Sequence, residues 1–357
     1  MVIKVSDISK IDKNFAVEEV DEKGFKWYDS TEDVFSVFGL WHDEKGYFRV
    51  PDDVGEKTSN GVARLARHTC GGRIIFETDT SEIAVDIKGK QDKMSHFPLT
   101  GSIGLDLYID EGNGFEYFRT FVPPFSCENG YKSEFSLRDN KTKKIMIHFP
   151  LYAEAEQFLI GLDSDATVKK CNPYKKEKPI VYYGSSITQG GCVSRPGNHY
   201  PAIVSRKLMK DFVCLGFSGN AHGEQSMAEY IASLEMSAFV FDYDHNDMTK
   251  PELLRERHYP FYKTVREKHK DIPIIFMSAP YSKRYDVEKE RSRQVVLESY
   301  NKAKENGDNV YFIDGMKMFD GEYRDCATVD GCHPNEAGHI LIAKAITEKL
   351  RALKLSF

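Results

Sequence analysis

Two hydroxyl residues after a glycine are the first candidates for chemistry in this sequence. The segment VYYGSSITQGG (residues 181–191) begins as an apolar run, and Gly184 directly precedes Ser185 and Ser186. Glycine lets the backbone turn sharply at the end of a strand and presents the next hydroxyl at the edge of a sheet. A serine hydroxyl is a weak nucleophile until a base takes its proton, so this interpretation requires a histidine and a group that orients it.

Nucleotide binding is the alternative chemistry for the same loop, and the spacing argues against it. A Walker-type phosphate loop needs a lysine directly after its second glycine, whereas Gly190 comes one position too late and is followed by Gly191. A dinucleotide fingerprint needs glycine two residues after the first, where this sequence has Ser186. Taken alone, the hydroxyls could equally satisfy backbone groups of the loop.

The segment DGCHPNEAGH (residues 330–339) supplies a candidate base. Asp330 and His333 are three residues apart with Gly331 between them, so one turn can bring the carboxylate to an imidazole nitrogen. An oriented imidazole of this kind can accept the proton of a serine. In isolation, a turn-capping aspartate and a surface histidine would explain the pair equally well.

Two further loops offer donors for a negative oxygen. Gly219 in GFSGNAHG (216–223) can bring a backbone N–H against a substrate, and Asn246 in FDYDHNDM (241–248) has a side-chain amide. Acyl transfer needs such donors, and the loss of one typically costs roughly 10²–10³ in rate. Each loop alone is ordinary, but together with Ser186, Asp330 and His333 they complete a hydrolytic site.

The elements that must position these residues follow from two different periodicities. Between about residues 25 and 160 the chain shows short alternating stretches, for example 72–88, 104–121 and 143–152, which predict an antiparallel β-sandwich, most plausibly a jelly roll. Later strands are predicted to begin near Ile180, Phe212, Ala238, Ile272 and Asn309, with helical stretches at 200–210, 251–270, 287–307 and 335–353 between or after them. This alternation predicts a five-stranded parallel sheet covered on both faces, whose carboxyl edge collects the candidate loops. We expect two domains, 1–175 and 176–357.

Composition limits the partners. A net charge of -6 gives no basic surface for nucleic acid, and no stretch has the length of a membrane span. The first 15 residues lack the apolar core of a signal peptide, so we expect a cytoplasmic protein. The seven cysteines are scattered without a C-x-x-C pair, which argues against a disulfide framework and a cysteine zinc site and favours buried thiols.

The ordered set of GSSIT, GFSGN, YDHND and D-x-x-H resembles the SGNH hydrolases, also called GDSL-type esterases. Ser185 replaces the acidic residue of the family's G-D-S, and Asp244 replaces a glycine. The stretches GSSITQG and SRPGNHYPAI are similar to those of a bacterial subgroup, and GLDLY (104–108) resembles the G-x-D-L-Y signature of the domain that precedes its catalytic domain. KWYDS and GLWHDEKGYFRVP resemble the opening of that domain.

The resemblance implies a β-sandwich followed by a three-layer, flavodoxin-like α/β/α esterase without a metal or cofactor, and relatives that often deacetylate carbohydrates. Ser186 would then be the nucleophile, His333 the base and Asp330 its orienting group, with Ser186, Gly219 and Asn246 forming the oxyanion hole. The loop after Ser186 is crowded and has no long apolar lid, which favours a small acyl group, acetyl above all. That the ester belongs to an oligosaccharide is what the resemblance implies. Candidate substrate contacts are Arg195, His199, Tyr200 and His245.

Other functions stay open on the sequence. The substrate could be a non-carbohydrate ester or thioester, or the protein could bind carbohydrate through a silent catalytic site. A metal site built from Asp330, His333, His339 and His222 is least favoured, since His339 falls about one turn into the last helix. Trp27 and Trp41 are expected in the core rather than stacked on a sugar, and an exposed sandwich face would suit a homo-oligomer contact.

Overall fold

The structure, a computed structural model, describes residues 24–174, 178–321 and 324–353. The segment 24–174 forms a β-sandwich, and the segment 178–353 forms an α/β domain around a parallel sheet. The predicted boundary between residues 175 and 176 lies outside the described residues, as does the N-terminal stretch from which a cytoplasmic location was inferred. The boundary therefore stays a prediction.

The sandwich is built from two main antiparallel sheets, with residues 41–43 and 46–48 pairing as a separate two-stranded sheet, and this confirms the fold class predicted for the first half. Its elements are β1 (Phe25–Asp29), β2 (Ser36–Phe38), β3 (Trp41–Asp43), β4 (Gly46–Phe48), α1 (Asp52–Thr58), α2 (Asn60–Ala66), β5 (Arg73–Thr78), β6 (Glu82–Lys88), α3 (Leu99–Ser102), β7 (Leu105–Asp110), β8 (Glu116–Phe121), β9 (Gly130–Ser136), β10 (Lys143–His148), β11 (Gln157–Asp163) and β12 (Val168–Lys170). One sheet has the order β1-β11-β6-β9, and the other has β12-β5-β10-β7-β8 with β2 beside β5.

The two strands predicted in 72–88 form, but they enter different sheets. The carboxylate of Asp163 holds the corner between them by accepting the backbone N–H groups of Ser81 and Glu82 at 2.7 and 3.1 Å. The segment 104–121, in contrast, is the predicted hairpin of β7 and β8. The first case shows that strand positions follow from alternation, whereas pairing depends on side chains far along the chain.

Three short helices of the sandwich were not predicted. Each of α1 and α2 has only seven residues, too few for a helical period to stand out from the surrounding pattern. Val62 and Leu65 of α2 are buried in the same core as Leu215 and Phe217 of the C-terminal domain. This helix therefore packs across the junction between the two parts of the protein.

The C-terminal domain has the predicted five parallel strands, in the order β14-β13-β15-β16-β17. Its elements are β13 (Ile180–Gly184), α4 (Ser186–Gln189), α5 (Tyr200–Leu208), β14 (Phe212–Gly216), α6 (Gln225–Ser233), β15 (Ala238–Asp242), α7 (Pro251–Lys268), β16 (Ile274–Met277), α8 (Asp286–Glu305), β17 (Val310–Ile313), α9 (Gly315–Met318) and α10 (Glu336–Ala352). Within the described ranges, every helix is too short or too polar to cross a membrane.

The inner strand β13, which lies between β14 and β15, is buried on both faces. Val181 and Tyr183 belong to the core that includes residues of α6, α7 and α8, whereas Ile180 and Tyr182 belong to the core that includes residues of α5 and α10. A strand that is buried on both faces has a continuous apolar sequence, as β13 does. Helices cover both faces of the sheet, and the polar loops therefore meet at the carboxyl ends of β13, β14 and β15.

The GLDLY segment joins the sandwich to the C-terminal domain. Asp106 is fully buried, and its carboxylate accepts hydrogen bonds from Thr120 Oγ1 at 2.7 Å, Arg195 Nη1 at 2.9 Å and Gly197 N at 2.7 Å. Burial raises the pKa of the Asp106 carboxyl, against the charge of Arg195 and these hydrogen bonds. The motif thus fastens the loop that follows α4, since two of its donors come from that loop.

Replacing Asp106 with asparagine should destabilise the fold. Asp106→Asn keeps the shape but removes the charge opposite Arg195, and breaking a buried ion pair costs on the order of 3 kcal/mol. Urea unfolding of the two proteins measures the difference. Glu298→Gln is the matched control, because its ion pair with Arg255 is more than half exposed and should contribute less than about 1 kcal/mol. Equal losses in both variants would contradict the assigned role of Asp106.

Candidate active site

The turn from β13 into α4 places Ser186 at the start of a helix. A Cβ on Gly184 would collide with the side chain of Thr188 and the carbonyl oxygen of Asp242, so only glycine fits at the end of this strand. Ser185 caps the helix, and its hydroxyl accepts the N–H of Ile187 at 3.2 Å. The serine that replaces the family's acidic residue therefore has a capping role that aspartate could also fill.

A tight turn positions the candidate base. Asp330 Oδ1 accepts the backbone N–H groups of Cys332 at 2.9 Å and His333 at 2.7 Å. Gly331 has φ 76°, which most side chains disfavour. The second oxygen, Oδ2, lies 2.8 Å from His333 Nδ1. One carboxylate thus shapes the loop and orients the ring.

The structure brings Ser186, His333 and Asp330 together in one hydrogen-bonded chain. His333 Nε2 lies 2.9 Å from Ser186 Oγ, across 147 residues of sequence. With the Nδ1 proton donated to Asp330, Nε2 holds a lone pair that can accept the serine proton. Partial burial acts to raise the pKa of Asp330, but hydrogen bonds from the backbone and ring of His333 and from Cys332 N lower it to about 2. The carboxylate is therefore ionised at neutral pH.

His245 contacts the 330–333 turn from the interior of the protein. It is 6% exposed, and its Nε2 lies 3.2 Å from Cys332 Sγ. Burial lowers the pKa of His245 well below the ordinary value, with the charges of Lys289 and His333 acting in the same direction. We therefore replace the expectation of a substrate contact at His245 with a structural contact to the 330–333 turn.

The two predicted oxyanion donors are differently placed. Gly219 has φ 66°, and no atom beyond its chain neighbours comes within 4 Å of the position of a Cβ, so its backbone stands open. Asn246 Nδ2 instead donates to the carbonyl oxygens of Phe217 and Ala221, both at 3.1 Å. Because both partners are carbonyls, the atom facing them is the amide nitrogen. In this geometry Asn246 holds the turn that presents Gly219.

Of the other expected substrate contacts, two lie in the interior and the third is partly exposed. Arg195 is held by Asp106, as described above. His199 and Tyr200 are 0% exposed. His199 Nδ1 lies 2.6 Å from Pro196 O, and the Tyr200 hydroxyl donates to Asp242 Oδ2 at 3.1 Å. Burial places His199 and Tyr200 in the core, away from a solvent-borne ligand, whereas Arg195, whose side chain is 20% exposed, is fixed at the junction by Asp106. A substrate contact of Arg195 stays a prediction.

The sandwich contributes residues to the site that the sequence analysis missed. His96 Nε2 lies 4.0 Å from Asp330 Oδ2, and its side chain is 43% exposed. The ring of Phe97 lies 5.9 Å from that of His333, and the Tyr152 hydroxyl lies 3.4 Å from Ser186 O. No spacing within the sequence marks these residues, because they reach the site only through the packing of the two domains.

The residues weighed for a metal site do not assemble. His222 Nδ1 pairs with Asp247 at 2.7 Å, and His339 Nδ1 accepts the N–H of Tyr200 at 3.1 Å. Within the described ranges, the groups of three His, Cys, Asp or Glu whose ligand atoms lie within 4.8 Å of one another contain neither of these histidines.

The two tryptophans also depart from expectation. Trp27 is only half-buried, and Trp41, 38% exposed, stacks on Phe48 outside the core.

Two family comparisons account for most of the chain. Residues 177–351 match the sequence model of the GDSL-like lipase/acylhydrolase family, and residues 25–168 match the N-terminal GxDLY domain of SGNH-type esterases. The chain belongs to the SGNH hydrolase family, in the subgroup that carries a GxDLY domain. The resemblance stated from the motifs is confirmed. No curated protein matches the sequence.

Solved structures of this family share the whole two-domain arrangement. A Bacteroides ovatus protein assigned as a GDSL-like lipase is 28% identical with a TM-score of 0.83, over 93% of this chain and 99% of that one. The salicylyl-acyltransferase of a tetracycline biosynthetic pathway is 20% identical with a TM-score of 0.78, over 94% and 99%. An acetyl xylan esterase from the rumen bacterium Butyrivibrio proteoclasticus is 14% identical with a TM-score of 0.58, over 92% and 98%. The last two similarities show the fold.

Replacing Asp330 with asparagine should abolish most ester hydrolysis. In Asp330→Asn the amide would face His333 Nδ1 and favour the wrong tautomer, so kcat for p-nitrophenyl acetate should fall on the order of 10³–10⁴-fold. Asp325→Asn, an exposed neighbour in sequence, should leave kcat unchanged.

The pH profile should show an acid limb that does not come from Asp330. Since Asp330 stays ionised down to about pH 2, a fall in kcat/KM at higher pH should come from a group other than this carboxylate, and the expected group is the base that must accept the serine proton. The decrease in kcat/KM on acidification should fit the uptake of a single proton. A kcat/KM that falls only near pH 2, where Asp330 itself takes up a proton, would contradict this assignment.

Proposed function

We propose that the protein is a serine esterase that removes short acyl groups, acetyl above all, from hydroxyl groups of carbohydrates. The observation that carries the proposal is the hydrogen-bonded chain from Ser186 through His333 to Asp330. Membership of the SGNH hydrolases supports an esterase. The acyl group and the alcohol are inferred from the surroundings of Ser186.

The first half of the reaction forms an acyl-enzyme. His333 Nε2 takes the proton of Ser186 Oγ while the oxygen attacks the ester carbonyl, and Asp330 steadies the imidazolium. When the tetrahedral intermediate collapses, the same proton passes from His333 to the departing alkoxide, and the alcohol leaves. Water then enters, gives a proton to His333 and attacks the acyl-enzyme. The acid is released and Ser186 regains its proton.

The oxyanion is stabilised by backbone donors in this proposal. The N–H of Ser186 lies in the first turn of α4, where backbone N–H groups lack partners within the helix. The open N–H of Gly219 is the second donor. Asn246 completes the oxyanion hole by holding the 217–221 turn with both of its amide protons.

The crowding around Ser186 supports a small acyl group. Ser186 is 3% exposed. A Cβ on the neighbouring Gly191 would lie 2.9 Å from Phe97 Cζ and 3.2 Å from the Tyr152 hydroxyl, so the sandwich closes over this side of the loop. Acetyl fits such a space better than a fatty acyl chain, which would need a long apolar channel.

The exposed residues on the opposite side of the site support a carbohydrate as the alcohol of the ester. The side chains of Asp330 and His96 are 31% and 43% exposed, so the leaving alcohol would lie against a polar, solvent-facing rim. A sugar hydroxyl suits that rim, since polar groups fix sugars by hydrogen bonds. The fold shared with an acetyl xylan esterase supports the same substrate class.

Acetate release from acetylated xylo- and manno-oligosaccharides tests the substrate. The wild type should release acetate at neutral pH, and Ser186→Ala should lose at least about 10³-fold in kcat, because the nucleophile is gone. Ser185→Ala is a matched control that removes only a helix cap worth about 1 kcal/mol. If neither substrate is cleaved but p-nitrophenyl acetate is, the carbohydrate inference fails and a different ester or thioester is the substrate. If no ester is cleaved, the protein is a binding protein with a silent site.

The oxyanion arrangement has its own test. Asn246→Ala frees the 217–221 turn, and kcat should fall roughly 10²–10³-fold while KM changes little. The same truncation at the surface, Asn306→Ala, should change neither, since the exposed side chain of Asn306 donates to the Tyr259 hydroxyl, away from Ser186. Unchanged kcat in Asn246→Ala would show that the turn is held without this residue.

A further inference from the structure

Three ligand-type side chains meet inside the junction, away from the Ser186 chain. Cys70 lies in the sandwich just before β5, Cys214 lies in β14, and His199 directly precedes α5. All three are 0% exposed. The sulfur atoms of Cys70 and Cys214 are 3.4 Å apart, and the two sulfurs and a ring nitrogen of His199 all lie within 4.8 Å of one another.

The imidazole of His199 has the orientation of a metal ligand. Its Nδ1 lies 2.6 Å from Pro196 O and therefore carries the proton, which leaves a lone pair on Nε2. Among the described residues no donor meets that buried Nε2 with hydrogen-bond geometry, and Cys214, which interacts with His199, is itself a member of the cluster. An unsatisfied buried polar atom is costly, and metal-bound histidines commonly donate their other N–H to a backbone carbonyl.

We propose that Cys70, Cys214 and His199 form a structural site for a thiophilic cation, Zn²⁺. Two thiolates and an imidazole are ligands that zinc prefers, whereas Mg²⁺ and Ca²⁺ require oxygen ligands. At Zn–S bonds of about 2.3 Å, tetrahedral geometry separates two sulfurs by about 3.8 Å, so the observed pair needs to open by only a few tenths of an ångström. Two thiolates balance the charge of the ion, which allows a buried neutral complex.

Backbone carbonyls surround the same position. Gln189 O lies 2.9 Å from Cys70 Sγ, and Thr188 O lies 3.3 Å from Cys214 Sγ. Either oxygen is a candidate for the fourth ligand. Both belong to α4, whose first residue is Ser186. Bound zinc would thus tie the sandwich and β14 to the helix that carries the nucleophile, without taking part in the ester chemistry.

A disulfide between Cys70 and Cys214 is the competing state. It would require the sulfurs to approach to about 2.05 Å and an external oxidant. It would also leave Nε2 of His199 without a partner. Zinc accounts for all three side chains, whereas the disulfide accounts for two.

Metal analysis of the full-length protein tests the proposal. The protein is produced with Zn²⁺ in the medium, dialysed against metal-free buffer and measured by inductively coupled plasma mass spectrometry. The wild type should retain one zinc per chain. His199→Asn should lose it, because asparagine keeps a donor near the Nδ1 position and lacks the Nε2 ligand. Cys326→Ser, at an exposed cysteine, should retain it.

If His199→Asn folds poorly, a second measurement on the wild type tests the zinc site. Wild-type protein is unfolded with a strong chelator and refolded with or without Zn²⁺, since metal binding adds to folding stability. Zinc should raise Tm of the refolded protein, and Cys326→Ser should respond equally. Non-reducing peptide mapping identifies the alternative. A metal-free native protein with a Cys70–Cys214 disulfide, or with two free thiols and no change in Tm on adding zinc, overturns the proposal.

Discussion

A buried guanidinium at the junction is the interaction on which the two-domain arrangement depends. Arg49 of the sandwich is 0% exposed, and its Nη1 donates to the carbonyl oxygens of Cys214 at 3.0 Å and Gly216 at 2.7 Å, at the carboxyl end of β14. Its other nitrogens bond carbonyls of Leu65 and His68 within the sandwich. A charge buried in this way is tolerable only while every donor has a partner, so separating the domains would leave it exposed or unpaired.

This junction makes the sandwich part of the active site. With Arg49 and Asp106 anchoring the two domains, the loop that carries His96 and Phe97 lies against the His333 ring. The catalytic-type residues themselves all come from the C-terminal domain. The sandwich determines how much space remains around Ser186 and what the departing alcohol meets, which is a plausible physical basis for different substrates on one shared fold.

The two departures from the family motifs leave the chemistry of the site intact. Ser185 caps α4. Asp244 is fully buried and accepts the N–H of Ala279 at 3.0 Å, which links the loop after β15 to the end of β16. Burial raises its pKa to about 7. Both residues support the backbone near Ser186 and Asn246, and neither replaces a group that would touch substrate.

The sequence by itself determined the fold class of each half and the five parallel strands, and it singled out Ser186, Asp330 and His333 as candidates, because hydrophobic period and turn chemistry are local properties. Only the tertiary structure decided what distant residues do. Arg195 pairs with Asp106 across 89 positions, and Cys70 meets Cys214 across 144. No local pattern encodes such a contact. For the same reason the sequence favoured His199 as a substrate contact although the structure buries it, since burial at a junction depends on the partner domain rather than on neighbouring residues.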